Sequence, residues 1–214
     1  MNGTPERWVI LDVGETLIDE TRIWSTWADE LGIRRMTLMA AFGAIVARGE
    51  QYYDIGRYMG VDDWRAHRPA VESKLGGFHP DDLYADVLPA MTLLRERFRL
   101  AVIGNQPRER LEQLRSIGVD AEVMAMSDEM GVAKPDPAFF REARRRIGDP
   151  DPGQVAYVGD RIDNDVVPAR DAGMRAVWLR RGPWGIIPLE EPPEADLIVD
   201  SLTELVERID EAWA

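Results

Sequence analysis

The sequence predicts an α/β fold built on a doubly wound parallel sheet, and two patterns carry this prediction. Short runs of apolar residues recur along the chain, and amphipathic helical segments separate them through residues 87–213. Strands that alternate with helices favour a parallel sheet whose right-handed crossovers place helices on both faces. The 214 residues are enough for one large domain, or for a core with a modest insert.

The predicted strands are short apolar runs, most of which end at a glycine or a polar residue. The first run, Trp8-Val9-Ile10-Leu11, ends at Asp12, and Gly14 follows two residues later. The other predicted strands cover residues 99–103, 121–126, 154–158, 175–179 and 196–199. Apolar runs of this length are typical of parallel strands that are buried on both faces.

The predicted helices fall into two groups. Those that alternate with strands cover residues 87–98, 108–117, 137–147, 164–172 and 202–213, and the proline-rich residues 183–193 are predicted to form a loop. Residues 20–86 contain no convincing strand, but apolar residues recur there at helical spacing, as at Trp24, Trp27 and Leu31. We therefore predict an α/β core domain from residues 1–18 and 87–214, with a helical cap domain over 19–86. Because the insert begins soon after Asp12, it could close over that residue as a lid.

Charge and composition exclude several classes of partner. The formal net charge of −13 would repel a polyanion, so we expect no nucleic-acid partner. No apolar run approaches the roughly 20 residues of a membrane span, and the amino-terminal residues lack the apolar stretch of a secretory signal. The absence of cysteine excludes disulfides, thiolate metal sites and a cysteine nucleophile. We expect a cytoplasmic protein without a membrane partner. The sequence leaves open whether the protein forms a homodimer.

Polar residues follow four of the strand regions. Asp12 follows the first strand, Asn105 the second, Lys134 the third, and Asp160 the fourth. Because the carboxyl ends of parallel strands gather at one edge of a sheet, these groups should converge there. Two converging carboxylates repel each other unless a cation neutralises them, and Mg²⁺ prefers such oxygen ligands. The pattern favours attack by a carboxylate on a phosphoryl-type group, with the metal and the ammonium stabilising negative charge.

The same segments resemble the motifs of the haloacid dehalogenase superfamily. The matching segments are Asp12-Val13-Gly14-Glu15-Thr16, Gly104-Asn105, Lys134-Pro135-Asp136-Pro137 and Gly159-Asp160-Arg161-Ile162-Asp163-Asn164-Asp165. The resemblance implies a Rossmann-like core with a helical cap of the C1 type inserted after the first strand. It also implies Mg²⁺-dependent hydrolysis of a small phosphorylated metabolite through a covalent aspartyl-phosphate, since most members of the superfamily act in this way.

The resemblance implies a set of metal ligands in this sequence. Asp12 would be both the nucleophile and a ligand of Mg²⁺. The backbone carbonyl of Gly14 and the carboxylate of Asp160 would be further ligands. Asp165 would either bind the metal directly or orient the groups around it.

The resemblance also implies residues that bind substrate or assist catalysis. Lys134 would pair with the nucleophile and with the phosphoryl oxygens, and Asn105 would contact the transferring group. Thr16 would steady the catalytic loop, which is the segment of residues 12–16. Gly104 and Glu15, which flank these motif positions, are expected at the substrate-binding site.

Two positions depart from the superfamily's phosphatases. Gly14 stands where these enzymes carry an aspartate that serves as general acid and base, a role worth about 10²- to 10⁴-fold in rate. Gly104 stands where they carry a hydroxyl residue. Another residue would have to move the proton, and the candidates are Glu15, His67 and His79.

Other functions stay open because of Gly14. A 2-haloacid dehalogenase would use Asp12 without a proton donor, since a halide needs no proton on leaving. A phosphonatase-type enzyme would need a lysine in the cap, where Lys74 is the only one. The scaffold could also be a ligand-binding or regulatory module without turnover. Aromatic residues that either line a cap pocket or fill the core are Trp24, Trp27, Tyr52, Tyr53, Trp64 and Trp184, with His67 beside them.

Overall fold

Six parallel strands form one sheet in the computed structural model, which describes residues 7–188 and 192–214. The strands are β1 (Trp8–Leu11), β2 (Arg99–Gly104), β3 (Val123–Met126), β4 (Val155–Gly159), β5 (Arg175–Leu179) and β6 (Leu197–Val199). Their order in the sheet is β3-β2-β1-β4-β5-β6. The chain therefore builds outward from β1 to β3, and then continues from the other side of β1. This confirms the predicted doubly wound parallel sheet.

Alternation of side chains along each strand builds a core on both faces of the sheet. In β1, Val9 and Leu11 pack into one apolar cluster, whereas Trp8 and Ile10 pack into the cluster on the opposite face. Successive side chains of a strand point to opposite faces, so a strand covered on both sides must be apolar throughout. This explains why β1 reads as an uninterrupted apolar run.

Helices cover the sheet in each segment where the sequence predicts one, with three local differences, of which the first is an additional short helix at Ser127–Met130. They are α5 (Val87–Arg95), α6 (Arg110–Ser116), α7 (Ser127–Met130), α8 (Pro137–Arg146), α9 (Val167–Asp171), α10 (Gly182–Ile186) and α11 (Leu202–Arg208). The segment before α9 is a π-helical turn, Ile162–Val166. The predicted loop over 183–193 begins with α10, because Pro183 can occupy a first helical turn, where its missing N–H is not needed. Residues 189–191 of that predicted loop lie outside the described residues.

Four helices lie between β1 and α5 and share an apolar cluster of their own. They are α1 (Thr21–Glu30), α2 (Arg35–Ala47), α3 (Ile55–Met59) and α4 (Arg68–Leu75), with short 3₁₀ turns at Tyr52–Asp54, Trp64–His67 and Pro80–Asp82. Trp24 and Trp27 of α1 pack there with Phe42 of α2 and with Trp64. Apolar residues at helical spacing thus form the buried stripe of each helix. The division of the chain into a core and a cap domain stays a prediction.

These helices contact the carboxyl edge of the sheet. The ring of Phe42 lies 5.8 Å from that of Trp184 in α10, measured between ring centroids. The side chain of Arg161, which follows β4, donates a hydrogen bond to Gln51 at 3.0 Å and lies 3.9 Å over the Trp184 ring. The helices are therefore held beside the strand ends where the polar residues gather. No helix among residues 7–188 and 192–214 has the length and apolar character that crossing a membrane requires.

Candidate active site

Three carboxylates meet where β1 and β4 end side by side. Leu11 and Val158 are partners in the two strands, and the backbone N–H of Asp12 donates to the carbonyl of Val158 at 3.0 Å. This pairing places Asp12 next to the residues that follow β4. Asp12, Asp160 and Asp165 are buried, and each offers a carboxylate oxygen within 4.8 Å of those of the other two. The cluster lies where the strand order reverses, which is the usual ligand site of open α/β sheets.

Lys134 is the positive charge of this cluster. Its Nζ lies 2.8 Å from Oδ1 of Asp12 and 2.5 Å from Oδ1 of Asp165, and its side chain is 1% exposed. Asn105 holds the backbone of the lysine, since its Nδ2 donates to the Lys134 carbonyl at 2.9 Å and its Oδ1 accepts from the Lys134 N–H at 2.8 Å. In this arrangement Asn105 positions Lys134. Direct contact of Asn105 with a transferring group stays a prediction.

One ammonium does not neutralise three buried carboxylates. Burial raises the pKa of Asp12 to about 6, an effect that Lys134 opposes and Asp165 increases. Burial also raises the pKa of Asp160 well above its usual value, and the neighbouring Asp165 and Asp12 raise it further. Burial alone would lower the pKa of Lys134, but the charges of Asp12 and Asp165 outweigh it and keep this lysine protonated. The site therefore holds surplus negative charge that a cation would neutralise.

The donor atoms fit a hard divalent cation. Oδ2 of Asp160 is buried and has no hydrogen-bond partner among the described residues. Buried polar atoms rarely lack a partner, so an unpartnered carboxylate oxygen in an acidic cluster suits a metal ligand. Both oxygens of Asp165 have partners, because Oδ1 pairs with Lys134 and Oδ2 accepts from the backbone N–H of Arg161 at 3.0 Å. Gly14 lies in the wall of the adjacent cavity, and its carbonyl stays a predicted ligand.

Gly104 and Thr16 have structural surroundings that the sequence did not indicate. A Cβ atom built on Gly104 would lie 2.4 Å from Oδ1 of Asp12, so the missing side chain leaves room for this position of the carboxylate. Thr16 is fully buried and outside the described cavity wall. Its carbonyl accepts a hydrogen bond from Arg181 at 3.0 Å, whereas its hydroxyl has no hydrogen-bond partner among the described residues. The role of Thr16 in steadying the loop stays a prediction.

Glu15 is held by contacts within the protein. Its backbone has a φ of 49°, in the left-handed region that non-glycine residues seldom adopt. Oε1 accepts from the backbone N–H of Glu20 at 3.1 Å, and Oε2 accepts from the hydroxyl of Tyr84 at 2.5 Å. Burial raises the pKa of the Glu15 carboxyl. Both oxygens thus accept a hydrogen bond within the protein, and Glu15 also lies in the wall of the adjacent cavity, so its place at the substrate site stays a prediction.

The polar residues of the helical segment that were considered for catalysis lie on its outer surface. His67 is exposed and contacts Glu30 at 3.0 Å. His79 is exposed at the start of a 3₁₀ turn. Nζ of Lys74 pairs with Glu30 at 2.6 Å, and its side chain is 54% exposed. None of the three belongs to the described cavity wall, so the geometry does not support them as proton donors or as an imine-forming lysine.

A cavity of about 540 Å³ opens over the carboxylate cluster. Asp12, Lys134 and Asp160 lie in its wall. Aromatic side chains of the helical segment and of α10 form another part of the wall: Trp24, Trp27, Tyr52, Trp64 and Trp184. Arg65, Arg68 and Arg110 add positive charge to the wall. Trp24, Trp27 and Trp64 also pack in the apolar cluster and so combine the two predicted positions. Tyr53 has neither, since it is exposed and outside the described wall.

Glu20 lies in the wall of this cavity and was not among the residues predicted from the sequence. Its Oε2 accepts a hydrogen bond from Nε1 of Trp24 at 3.2 Å. Burial raises the pKa of Glu20 to about 7, and the charge of Glu15 adds to that increase. The only signal in the sequence is the four-residue spacing of Glu20 and Trp24, which places both on one face at the start of α1.

Known proteins resemble this chain in sequence over much or nearly all of its length. The family model of haloacid dehalogenase-like hydrolases matches residues 6–173. A glyceraldehyde 3-phosphate phosphatase from Methanopyrus kandleri is 37% identical over 60% of this chain and 57% of its own length, so the match spans little more than half of that relative. The haloacid dehalogenase-like hydrolase domain-containing protein 3 of Danio rerio is 29% identical over 96% of this chain and 97% of its own.

A solved structure shows the same fold along almost the whole chain. The HAD-hydrolase YfnB from Bacillus subtilis, bound to magnesium, superposes with a TM-score of 0.74. The superposition covers 97% of this chain and 100% of that one, at 17% sequence identity. At this identity the likeness concerns the fold alone.

Proposed function

Since this chain belongs to the haloacid dehalogenase-like hydrolases, we propose that it is a Mg²⁺-dependent phosphatase for a small phosphorylated metabolite. The observation that carries the proposal is the contact of Lys134 with Asp12 beside Asp160, at the floor of a cavity. A carboxylate, an ammonium and a site for a cation are the groups that phosphoryl transfer needs. The similarity to a glyceraldehyde 3-phosphate phosphatase supports a phosphorylated substrate.

The metal would be held by the carboxylates at the ends of β1 and β4. Asp12 and Asp160 would bind Mg²⁺ together with the carbonyl of Gly14, and Asp165 would hold Lys134 and orient the cluster. Bound Mg²⁺ would supply positive charge for the phosphoryl oxygens and would neutralise the surplus charge of the acids. The buried, unpartnered Oδ2 of Asp160 supports this assignment.

Asp12 would carry out the covalent chemistry. A carboxylate oxygen of Asp12 attacks phosphorus, and the bond between phosphorus and the leaving oxygen breaks as that oxygen takes a proton. Water then attacks phosphorus in the aspartyl-phosphate, which releases inorganic phosphate and restores the carboxylate. Lys134 stays protonated between Asp12 and Asp165 and stabilises negative charge on the transferring group.

The helices between β1 and α5 would form the cap that selects the substrate. Their aromatic residues and Arg65 line the same cavity as Asp12, Lys134 and Asp160. The cavity volume of about 540 Å³ falls in the range of sites for small molecules, which supports a metabolite over a polymer. Gln51 and Arg161 would link this cap to the sheet edge through their hydrogen bond.

The alternative functions have less support. A dehalogenase would work without a metal, which would leave the surplus charge and the unpartnered oxygen of Asp160 unexplained. A phosphonatase-type reaction would need a lysine in the cavity, whereas Lys74 pairs with Glu30 on the surface. A binding module without turnover has no need of a nucleophile held beside an ammonium.

Turnover of p-nitrophenyl phosphate with Mg²⁺ and with EDTA tests the proposal. We expect Mg²⁺-dependent release of p-nitrophenol by the native protein, and an increase of about 80 Da on the peptide that contains Asp12 after rapid acid quench. Asp12→Asn should abolish both the release of p-nitrophenol and the increase in mass. Asp160→Asn should lose the increase in rate that Mg²⁺ gives to the native protein. Asp29→Asn, which removes an exposed carboxylate paired with Arg35, is the control and should keep full activity. Equal rates in native protein and Asp12→Asn would refute the proposal.

A further inference from the structure

The carboxylate of Glu20 occupies the space beside Gly14 where a side chain of residue 14 would begin. A Cβ atom built on Gly14 would lie 2.5 Å from Oε1 of Glu20 and 3.2 Å from its Cδ. A real Cβ cannot approach an oxygen so closely, so a side chain at position 14 and this placement of Glu20 exclude each other. The chain thus lacks an acid on residue 14 but has another carboxylate in its place.

The surroundings of Glu20 fix this placement. Its backbone N–H donates to Oε1 of Glu15 at 3.1 Å, which anchors the turn between the catalytic loop and α1. Its Oε2 is held by Nε1 of Trp24. Oε1, the oxygen nearest to Gly14, has no hydrogen-bond partner in the part of the chain that the structure describes. Glu20 shares the cavity wall with Asp12 and Lys134, so this oxygen is available to a group bound in the cavity.

We propose that Glu20 is the general acid and base of the hydrolysis, in place of the residue that Gly14 lacks. This role rests on the proposed phosphatase function. The protonated carboxyl of Glu20 gives its proton to the leaving oxygen as the bond to phosphorus breaks. The resulting carboxylate then takes a proton from the water that attacks the aspartyl-phosphate. One cycle consumes the phosphate ester and water, releases the alcohol and inorganic phosphate, and returns Glu20 to its protonated form.

The other candidates are engaged elsewhere. Both carboxylate oxygens of Glu15 accept hydrogen bonds within the protein. His67 and His79 are exposed and outside the described cavity wall. Of the acids considered for the proton transfer, only Glu20 combines a free oxygen with a position beside the catalytic loop.

The test compares substrates that differ in their need for a proton. A p-nitrophenolate ion leaves without protonation, whereas an alkoxide must be protonated as it leaves. In rapid-quench experiments, Glu20→Gln should therefore give a burst of p-nitrophenol at the native rate, followed by slowed turnover as the aspartyl-phosphate accumulates. With an alkyl phosphate such as glycerol phosphate, its rate of phosphoenzyme formation should fall about 10²- to 10⁴-fold. Glu30→Gln, at the other end of α1 and outside the cavity, is the matched control and should behave like the native protein.

A second variant separates a catalytic role from a loss of structure. Gly14→Asp combined with Glu20→Ala removes the obstructing side chain and places a carboxylate on residue 14. With the alkyl phosphate, this double variant should be at least about tenfold more active than Glu20→Ala alone. Native burst and turnover in Glu20→Gln with both substrates would overturn the role of Glu20 while the phosphatase proposal stands. A native protein that forms no phosphoenzyme on Asp12 would instead overturn the phosphatase proposal, and this role of Glu20 with it.

Discussion

Replacement of Lys134 by methionine should destabilise the metal-free protein strongly. Methionine has nearly the same length as lysine and fills the buried space, so the change removes the charge with little loss of packing. The chain has two lysines, and the second provides a matched control. Lys74 also pairs with a carboxylate, that of Glu30 at 2.6 Å, but on the surface. Lys74→Met should therefore leave the free energy of unfolding nearly unchanged.

The expected magnitude follows from the distances in the carboxylate cluster. The oxygens of Asp12, Asp160 and Asp165 lie within 4.8 Å of one another. Two full charges at that separation repel by about 3 kcal/mol at an effective dielectric constant of about 20. Lys134, 1% exposed, offsets this repulsion from 2.8 Å and 2.5 Å. Removal of one partner from a buried ion pair costs about 3–5 kcal/mol, and we expect a loss in that range for Lys134→Met.

Equilibrium unfolding in urea, followed by tryptophan fluorescence in EDTA at pH 8, measures this loss. The loss should become smaller toward pH 5. Without the lysine, the pKa values of the carboxylates rise further in the folded state, and acid then relieves the repulsion by protonating them. Saturating Mg²⁺ should also recover part of the loss, because the cation replaces the missing charge.

Two results would refute this reasoning. Equal unfolding free energies of Lys134→Met and Lys74→Met at pH 8 would show that repulsion among the three carboxylates does not destabilise the protein when the lysine is removed. A loss that stays constant from pH 8 to pH 5 would show that the lysine contributes by packing and not by charge.

Two further predictions concern stability. Because the pKa of Asp12 is raised to about 6 from 3.8, its ionisation weakens the folded metal-free protein, with an effect that grows from pH 4 to pH 6 and is complete above that. The free energy of unfolding of Asp12→Asn should therefore exceed that of the native protein by about 3 kcal/mol at pH 8 in EDTA, with no gain below pH 4. Urea titrations at several pH values would measure this difference. A gain that is the same at every pH would contradict the ionisation of Asp12 as its origin. In α3, Gly56→Ala should lower the free energy of unfolding by about 1–3 kcal/mol, because the new Cβ would lie 2.5 Å from Cδ1 of Trp64. In α2, Gly43→Ala meets only an ordinary contact at 3.5 Å and should raise it by about 0.5–1 kcal/mol; equal melting shifts of the two variants would contradict the packing argument.

The sequence predicted the fold and the convergence of the polar residues. Apolar runs such as Trp8–Leu11 identify buried parallel strands, because a strand covered on both faces must be apolar at every position. Once β1 and β4 were assigned to one parallel sheet, Asp12 and Asp160 had to emerge at the same edge. The family match over residues 6–173 agrees with that pattern. The roles of the individual site residues stay predictions that the variants above would test.

Beyond the pairing of Lys134 with Asp12, the sequence did not reveal which groups would be partners inside the site. Lys134 contacts Asp165 although 31 residues separate them, and Asn105 holds the backbone of Lys134 across 29 residues. The sequence also did not indicate that Tyr84 and the backbone N–H of Glu20 donate hydrogen bonds to the carboxylate of Glu15. Such pairings depend on how the loops that follow different strands pack together, and local sequence patterns do not predict that packing.

The sequence itself determines which segments form strands, which residues follow them and the excess of negative charge, because these follow from local periodicity and composition. The position of Glu20 beside Gly14 is decided only by the tertiary structure. It requires the left-handed backbone of Glu15, the start of α1 and the hydrogen bond from Trp24 together. A missing side chain in a motif is visible in the sequence, but the group that fills its place can be identified only when the chain is folded.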